Sequence, residues 1–398
     1  MQNRFNWTLL AIAMVVLSVR EAAVGAAPDE EPTEPASSVS ERLDEAFASI
    51  VRDHRLATVG AAIIEGGEIV WVGHYGEQAP GVPASRNTMF NVGSVTKTIT
   101  AELIVALAED GVISLDEQMA AHWIDPDVAD DPKHELLTPR HALTHATGFP
   151  NWRYMDPEFK LRFLSEPGTS FGYSGEGFDY VARFVEEKTG KTFPELVNDY
   201  VFEPRGLTDI SITPEDWVLD RLALPVDEHG ERRRPFCASA EERYCLGVGE
   251  WSAADELATT VEDYGRFMIS VMRGDRVKPS SQAARMTIQT STEDDEVLSC
   301  KPASMDRCPS AQGYGLGWEI FEFDDARIVS HGGSDWSERA MVYFDRDTMN
   351  GVILFINGPS STTTEALIAG LNALDPGSPI AMLYRGWVDA YNASLEQR

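Results

Sequence analysis

The chain has 398 residues, of which 43% are hydrophobic and 24% are charged. This composition is typical of a globular protein with one large core or two intergrown lobes, and it excludes a disordered or fibrous chain. The formal net charge is −31. Such a surface repels nucleic acid and anionic membrane, so we expect neither as a partner.

The first 27 residues have the character of a secretory signal peptide. Arg4 lies in a short basic region, an apolar stretch runs from Thr8 to Val19, and Val24-Gly25-Ala26 offers small residues suited to cleavage. A membrane anchor is the alternative, but the stretch is too short to span about 30 Å of hydrocarbon. We therefore expect a secreted or periplasmic protein, cleaved near residue 26 or 27, with no stable membrane insertion.

The segment that follows, residues 28–38, is rich in proline and acidic side chains, which predicts a disordered linker. We expect a folded domain over residues 39–375 and a helical tail over residues 376–398. A helix should open the domain, because apolar side chains recur at helical spacing at Leu43, Phe47, Ile50 and Val51.

Strand-like runs occur at both ends of the domain. A hairpin around Gly66-Gly67 joins the first two, and the others lie near the C-terminus, before a helix. Strands from both ends with helices between them predict an α/β (α+β) fold, in which one antiparallel sheet is packed by helices and carries an inserted helical lobe. The predicted strands and helix are Thr58 to Ile64, Glu68 to Tyr75, Arg327 to Ser330, Ala340 to Phe344, Gly351 to Ile356 and, as a helix, Thr362 to Leu374.

Four cysteines form two closely spaced pairs, Cys237 with Cys245 and Cys300 with Cys308. In an exported protein these predict disulfides, and four cysteines permit three connectivities. We favour the local pairs, because each pair lies in its own polar, loop-like stretch. A zinc site is the competing interpretation, but the spacing contains no C-x-x-C pair.

The stretch FNVGSVTK, residues 90–97, carries the clearest chemical signal. Apolar residues at helical spacing follow it, so Ser94 and Lys97 should lie on one face of a helix. A serine hydroxyl is a poor nucleophile until a neighbour takes its proton, and a buried lysine can take it or hold another base deprotonated. Alone, S-x-x-K is a weak signal, because a serine N-cap with an exposed lysine one turn later is common.

Further motifs in a fixed order strengthen this signal. They are PGTSFGYSG (residues 167–175), HGGS (331–334), LTPRHALTHATGFP (137–150), TTVEDYGRFM (259–268) and YGLGW (314–318). With them the chain, from about Leu43 to Gly358, resembles the class C β-lactamase and penicillin-binding-protein-like serine hydrolases. That family includes class VIII esterases, D-aminopeptidases and D-Ala-D-Ala carboxypeptidases.

The resemblance implies a role for each matching position. Ser94 matches the family's nucleophile, Lys97 its lysine, and Tyr173 the tyrosine that accepts the serine proton and passes it to the leaving group. Ser334 matches the strand residue whose backbone N–H forms the oxyanion hole together with that of Ser94. The implied reaction is hydrolysis through an acyl-enzyme, with no metal and no organic cofactor.

Two departures from the family pattern bear on the substrate. Gly175 stands where the tyrosine element normally ends in asparagine, so the amide that would hold an acylamino side chain is missing. His331-Gly332-Gly333 replaces Lys-Thr-Gly, which removes a cation and a hydroxyl that help to hold a β-lactam carboxylate. We expect Gly175, His331 and Gly333 to contact substrate. His331 is also a candidate for stabilising charge or relaying a proton, with local packing at a strand end as the alternative.

Other candidates have simpler explanations. The stretch GTSFG around Ser170 formally matches G-x-S-x-G, but a nucleophile elbow needs a strand before the serine and a helix after it. His141 and His145 lie four residues apart, yet no glutamate completes a zinc-protease motif, so we expect core and turn residues.

We therefore expect an exported serine hydrolase that acts on an ester or a small peptide or amide. A true β-lactamase or D,D-carboxypeptidase is the first alternative. A noncatalytic binding or sensor protein is the second, although intact Ser94, Lys97 and Tyr173 argue against it. The substrate, small molecule or peptide, and the oligomeric state stay open at this point.

Overall fold

The structure is a computed structural model that describes residues 36–233, 249–295, 298–300 and 307–396. The predicted signal peptide and the pair Cys237 and Cys245 lie outside these residues. Within the described ranges, no helix is both long and apolar enough to cross a membrane.

The strands of the described residues form one large and one small sheet. In chain order they are β1 (Thr58–Glu65), β2 (Glu68–Ala79), β3 (Val82–Pro83), β4 (Phe90–Asn91), β5 (Ile210–Ser211), β6 (Ala258–Thr259), β7 (Thr290–Ser291), β8 (Ala311–Tyr314), β9 (Glu319–Glu322), β10 (Arg327–Ser334), β11 (Glu338–Asp345) and β12 (Gly351–Asn357).

Some α-helices of the described residues pack on the two faces of the large sheet, and others pack against one another. In chain order the α-helices are α1 (Ala36–Asp53), α2 (Thr96–Glu109), α3 (Pro139–Leu143), α4 (Gly175–Thr189), α5 (Phe193–Val197), α6 (Asp216–Leu219), α7 (Val261–Arg273), α8 (Pro279–Arg285), α9 (Ser360–Leu374) and α10 (Pro379–Glu396).

The large sheet joins the two ends of the domain. Its order is β3-β2-β1-β12-β11-β10-β9-β8-β7, and the pairs are antiparallel. The N-terminal β1 pairs with the C-terminal β12, with Thr58 opposite Asn357. The predicted sheet from both chain ends is therefore confirmed, and most α-helices of the described residues lie between β3 and β7, where the helical lobe was predicted.

Alternation along the strands builds two hydrophobic cores. In β1, Ala62 and Ile64 face the core that includes α2, α4 and α7, whereas Val59 and Ala61 face the core that includes α1, α9 and α10. Successive side chains of a strand point to opposite faces, so a strand that is apolar at every position needs helices on both sides.

Helix α2 lies deep in the lobe. Every residue from Thr96 to Val105 is buried, as expected for a helix with other elements on all sides. The short strand β4 precedes it and pairs with β6, with Phe90 opposite Thr259. The residues between β4 and α2, which include Ser94, are therefore held by a paired strand at one end and by a buried helix at the other.

The ends of the domain differ slightly from the sequence expectation. Helix α1 begins at Ala36, so residues 36–38, predicted as part of the linker, are helical. Alanine and serine are compatible with a helix once its apolar face is buried. The predicted C-terminal tail is helical as α10, and it packs into the second core through Ile380, Ala381 and Leu383. Cys300 and Cys308 form the predicted local disulfide.

Candidate active site

Ser94 lies in a 3-10 turn, Gly93–Val95, that leads directly into α2. Gly93 has a φ of +52°, and a Cβ atom there would lie 2.9 Å from the backbone nitrogen of Ser334. The turn therefore needs glycine for its left-handed backbone and for its close approach to β10. Thr96 closes the turn, because its hydroxyl donates to the Gly93 carbonyl at 2.6 Å.

Lys97 is fully buried beside this turn. Its ammonium donates to Ser94 Oγ at 3.0 Å and to the Ala254 carbonyl at 2.9 Å. Aromatic faces surround it, with the ring centroids of Tyr173 at 4.9 Å and Trp152 at 5.8 Å. The predicted Ser94, Lys97 and Tyr173 are therefore brought together, and the buried ammonium has oxygen acceptors on two sides.

Tyr173 immediately precedes the N-cap of α4. Ser174 caps that helix, since its Oγ accepts from the Gly177 N–H at 3.0 Å and donates to the Pro150 carbonyl at 2.7 Å. The Ser174 N–H donates to His145 Nδ1 at 3.1 Å. The backbone on the C-terminal side of Tyr173 is thus held by a helix cap and by an imidazole.

His145 is the main site residue that the sequence interpretation undervalued. Its imidazole is fully buried, stacks on Tyr173 with centroids 4.3 Å apart, and meets Tyr314 edge-on at 4.6 Å. Burial, followed by the charge of Lys97, holds the pKa of His145 well below its usual value. A neutral ring therefore supports Tyr173. The available signal was its place within residues 137–150, one of the stretches that carry the family resemblance.

The backbone of Ser334 faces the turn that carries Ser94. Asp335 N donates to Glu338 O across the end of the β10–β11 hairpin, so the preceding pair, Ser334 opposite Arg339, is the non-hydrogen-bonded kind. The Ser334 N–H therefore points away from β11, towards Gly93. This geometry suits an oxyanion hole made with the N–H of Ser94.

Other parts of the chain pack closely against the HGG stretch of β10, residues 331–333. A Cβ atom at Gly333 would lie 2.0 Å from the Val92 carbonyl, and one at Gly332 would lie 2.6 Å from the hydroxyl of Tyr384 on α10. Gly333 thus lets β10 approach the chain just before Ser94, and its contact with substrate stays a prediction. Sequence reasoning did not find Tyr384, because α10 reaches the site only through tertiary packing.

His331 is buried on the same strand, with 1% of its surface exposed. Its Nδ1 lies 2.7 Å from the Gly332 carbonyl, which can only accept, so Nδ1 carries the proton. Burial, with the charge of Lys97, lowers the pKa of His331 to about 3. His331 is therefore neutral at physiological pH and does not replace the positive charge of the family's lysine.

A buried carboxyl group supports the loop that holds Lys97. Asp179 Oδ1 on α4 accepts from the Ala253 N–H at 2.8 Å and from the Ser252 hydroxyl at 3.3 Å. Burial and the neighbouring Asp255 raise the pKa of Asp179 to about 7. Because the next carbonyl, of Ala254, accepts from Lys97, Asp179 fixes an acceptor of the buried ammonium.

Ser170, the serine of the G-x-S-x-G match, does not join this site. Ser170 lies in a loop, and its hydroxyl donates to Ser165 Oγ at 3.3 Å in an exposed bond; no strand directly precedes it. Among the described residues, no group of three or more His, Cys, Asp or Glu side chains could hold a metal ion.

Comparison with known proteins agrees with this arrangement. The family model described as Beta-lactamase matches residues 43–375. Esterase EstB of Burkholderia gladioli is 29% identical, over 57% of this chain and 70% of the relative. Penicillin-binding protein 4 of Amycolatopsis lactamdurans is 25% identical, over 73% of this chain and 78% of the relative.

A solved structure shares the fold at low sequence identity. EstCE1, described as a hydrolase with promiscuous acyltransferase activity, superposes with a TM-score of 0.71 at 17% identity, covering 85% of this chain and 99% of EstCE1. The fold is therefore that of the β-lactamase-like hydrolases.

Proposed function

Because this chain belongs to the β-lactamase family of serine hydrolases, we propose that it hydrolyses an ester or small amide through an acyl-enzyme on Ser94. The observation that carries the proposal is the 3.0 Å bond between Lys97 Nζ and Ser94 Oγ. Burying an ammonium group costs free energy unless hydrogen bonds or opposite charges compensate for the lost water. The fully buried Lys97 contacts the hydroxyl that the motif predicts as nucleophile, and such a buried charge is typical of a functional site.

During acylation one proton is transferred twice, first from Ser94 to Tyr173 and then from Tyr173 to the leaving group. Ser94 Oγ bonds to the substrate carbonyl carbon while Tyr173, as phenolate, takes the hydroxyl proton. Lys97, 4.9 Å from the Tyr173 ring centroid, balances the phenolate charge. The carbonyl oxygen becomes an oxyanion held by the N–H groups of Ser94 and Ser334. Tyr173 then gives the proton to the leaving oxygen or nitrogen, and that bond breaks.

Deacylation reverses these roles with water. Tyr173 takes a proton from a water molecule that attacks the acyl carbon, and the same two N–H groups hold the second oxyanion. The bond to Ser94 Oγ then breaks, Oγ regains a proton through Tyr173, and the acid leaves. The chain's own groups supply each proton transfer in this scheme.

The charges around the site favour an uncharged substrate over one that carries a carboxylate. His331 is neutral, so it gives no counterpart to the lysine that the family uses at that position. A substrate carboxylate therefore finds no positive charge at position 331, which removes a favourable contribution to its binding.

A fluorophosphonate probe tests the nucleophile. We expect one phosphonyl adduct on the peptide that carries Ser94, and none in Ser94→Ala. An adduct on Ser170, or hydrolysis that survives in Ser94→Ala, would overturn the proposal. Turnover of p-nitrophenyl esters compared with nitrocefin then ranks the esterase against the β-lactamase alternative, and we expect the esters to be preferred.

We also propose that the protein is exported. The apolar stretch Thr8 to Val19 and the paired cysteines support this proposal. N-terminal sequencing of the mature protein should begin near Ala27 or Pro28. Recovery of the full-length chain from the cytosolic fraction alone would contradict it.

A further inference from the structure

The indole of Trp152 occupies the space in front of Gly175. A Cβ atom at Gly175 would lie 2.5 Å from Cη2 of the indole and 2.7 Å from Cζ2 and from Cζ3. Gly175 is the first residue of α4, and its φ is not in the left-handed region. Its lack of a side chain is therefore explained by the indole and not by the backbone conformation.

The segment around Trp152 is bound to the first turn of α4. The Gly175 N–H donates to Asn151 Oδ1 at 3.0 Å. On the other side of Trp152, the Arg153 N–H donates to Glu176 Oε1 at 2.8 Å, and its guanidinium donates to Glu176 Oε2 at 2.9 and 2.8 Å. Both neighbours of Trp152 are thus tied to Gly175 and Glu176, two and three residues after Tyr173, so the indole is held in place before any substrate binds.

This indole also lies next to the reacting groups. Its ring centroid is 5.8 Å from Lys97 Nζ, which itself bonds Ser94 Oγ. Tyr154 extends the aromatic surface, with a ring stacked on Trp152 at 5.9 Å and 13°. Further along the same segment, Met155 and Leu164 are 67% and 74% exposed. Exposed aromatic and aliphatic side chains beside reacting groups are typical of a binding site.

We propose that Trp152 determines the specificity of this enzyme for the acyl group. The acyl chain carried by Ser94 lies against the indole and continues towards Tyr154. The indole leaves no room at position 175 for an amide side chain that could hydrogen-bond to the acyl group. The substrates are therefore esters of apolar or aromatic acids, and acids with a polar acylamino group are disfavoured. This inference rests on the proposed function, because it requires an acyl-enzyme on Ser94.

The inference predicts how the rate depends on the acyl group. Wild-type kcat/KM should rise from p-nitrophenyl acetate to the hexanoate and the phenylacetate. Trp152→Ala should lower kcat/KM for the two larger esters by about 10- to 100-fold, the usual worth of a hydrophobic contact of this size. It should lower kcat/KM for the acetate by a smaller factor, since the acetyl group is too short to reach the indole and only the packing beside Lys97 is lost. Trp152→Phe is the matched control and should keep most of the preference.

A second set of variants tests the space in front of Gly175. Gly175→Asn should impair all three esters, because the new side chain displaces the indole. Adding Trp152→Ala should restore acetate turnover and favour N-acetylglycine p-nitrophenyl ester over the phenylacetate, since the amide then has room. Equal loss for all acyl groups in Trp152→Ala, with Ser94 still labelled by the fluorophosphonate probe, would overturn the inference alone. Absence of Ser94 labelling in the wild type would overturn the proposed function instead.

Discussion

His145 stacks on Tyr173 with ring centroids 4.3 Å apart, and the same imidazole accepts the N–H of Ser174 at 3.1 Å. One neutral side chain therefore fixes both the ring of the proposed base and the backbone that follows it. This pairing makes His145 a positioning residue, which acts through Tyr173 and not on the substrate.

Two substitutions separate the contributions of His145. His145→Phe keeps an aromatic ring against Tyr173 but loses the acceptor for Ser174, so it should retain kcat within about 3-fold and lower the free energy of unfolding by about 1–3 kcal/mol. His145→Gln loses the ring and should lower kcat about 10-fold with little change in KM. Steady-state kinetics and urea unfolding measure both effects. An equal loss of kcat in the two variants would contradict the stacking role.

Tyr173→Phe tests the proton transfer itself. The ring packing against His145 and Lys97 is preserved, so the fold and substrate binding should survive. The loss of the hydroxyl should lower kcat by about 10²- to 10⁴-fold, the usual worth of a positioned acid or base. Near-native turnover of the best ester by this variant would show that another group carries the proton.

The buried, neutral His331 makes stability depend on pH. Its pKa is about 3 in the folded protein against an ordinary value of 6.5, so below pH 6.5 the unfolded chain binds the proton first. Stability is then lost as the pH falls from about 6.5 towards 3, by about 2–3 kcal/mol at pH 4.5.

His331→Asn removes this titration while keeping a donor near the Gly332 carbonyl. The variant should be less stable than the wild type at pH 7, because the ring volume is lost. The difference should shrink by about 2–3 kcal/mol at pH 4.5, measured by urea unfolding at both values. A difference that is constant with pH would show that the pKa of His331 is the same in the folded and the unfolded protein.

Glu319 on β9 has the opposite pH dependence. Burial raises its pKa from 4.5 to about 7, so the folded state holds the proton more tightly. The resulting stability is present below pH 4.5 and is lost as the pH rises to about 7. Glu319→Gln should therefore gain about 3 kcal/mol relative to the wild type between pH 4.5 and 8. Thermal unfolding over this range measures the gain, and Glu68→Gln, an exposed site on β2, is the control that should show none.

The disulfide between Cys300 and Cys308 closes a loop with a sequence separation of 8. Replacing both cysteines by serine should lower the free energy of unfolding by about 2 kcal/mol, because a short loop restricts the unfolded chain modestly. Thiol titration of the unreduced protein should also find no free thiol, which extends the prediction to Cys237 and Cys245. Two titratable thiols would refute that extension.

Much of the site could be predicted because it depends on local spacing. Ser94 and Lys97 are one helical turn apart, and helix geometry brings such side chains together wherever the helix lies. The sheet from both chain ends followed from short strand-like runs near each end, such as those that form β1 and β12. The bounds of α1 were less certain, because Ala36 and Ser37 are compatible with either a helix or a linker.

What the sequence by itself determined was therefore the family, the sheet and the close pair of Ser94, the proposed nucleophile, with Lys97. Only the tertiary structure showed what surrounds the two departures from the family motif, Gly175 and the HGG stretch. Trp152 fills the space in front of Gly175, and Tyr384 covers Gly332. The tertiary structure also decided that His331 is neutral, since burial and the charge of Lys97 set its pKa. These contacts join segments far apart in the chain, and no local spacing encodes which side chain arrives from a distant helix or how deeply it is buried.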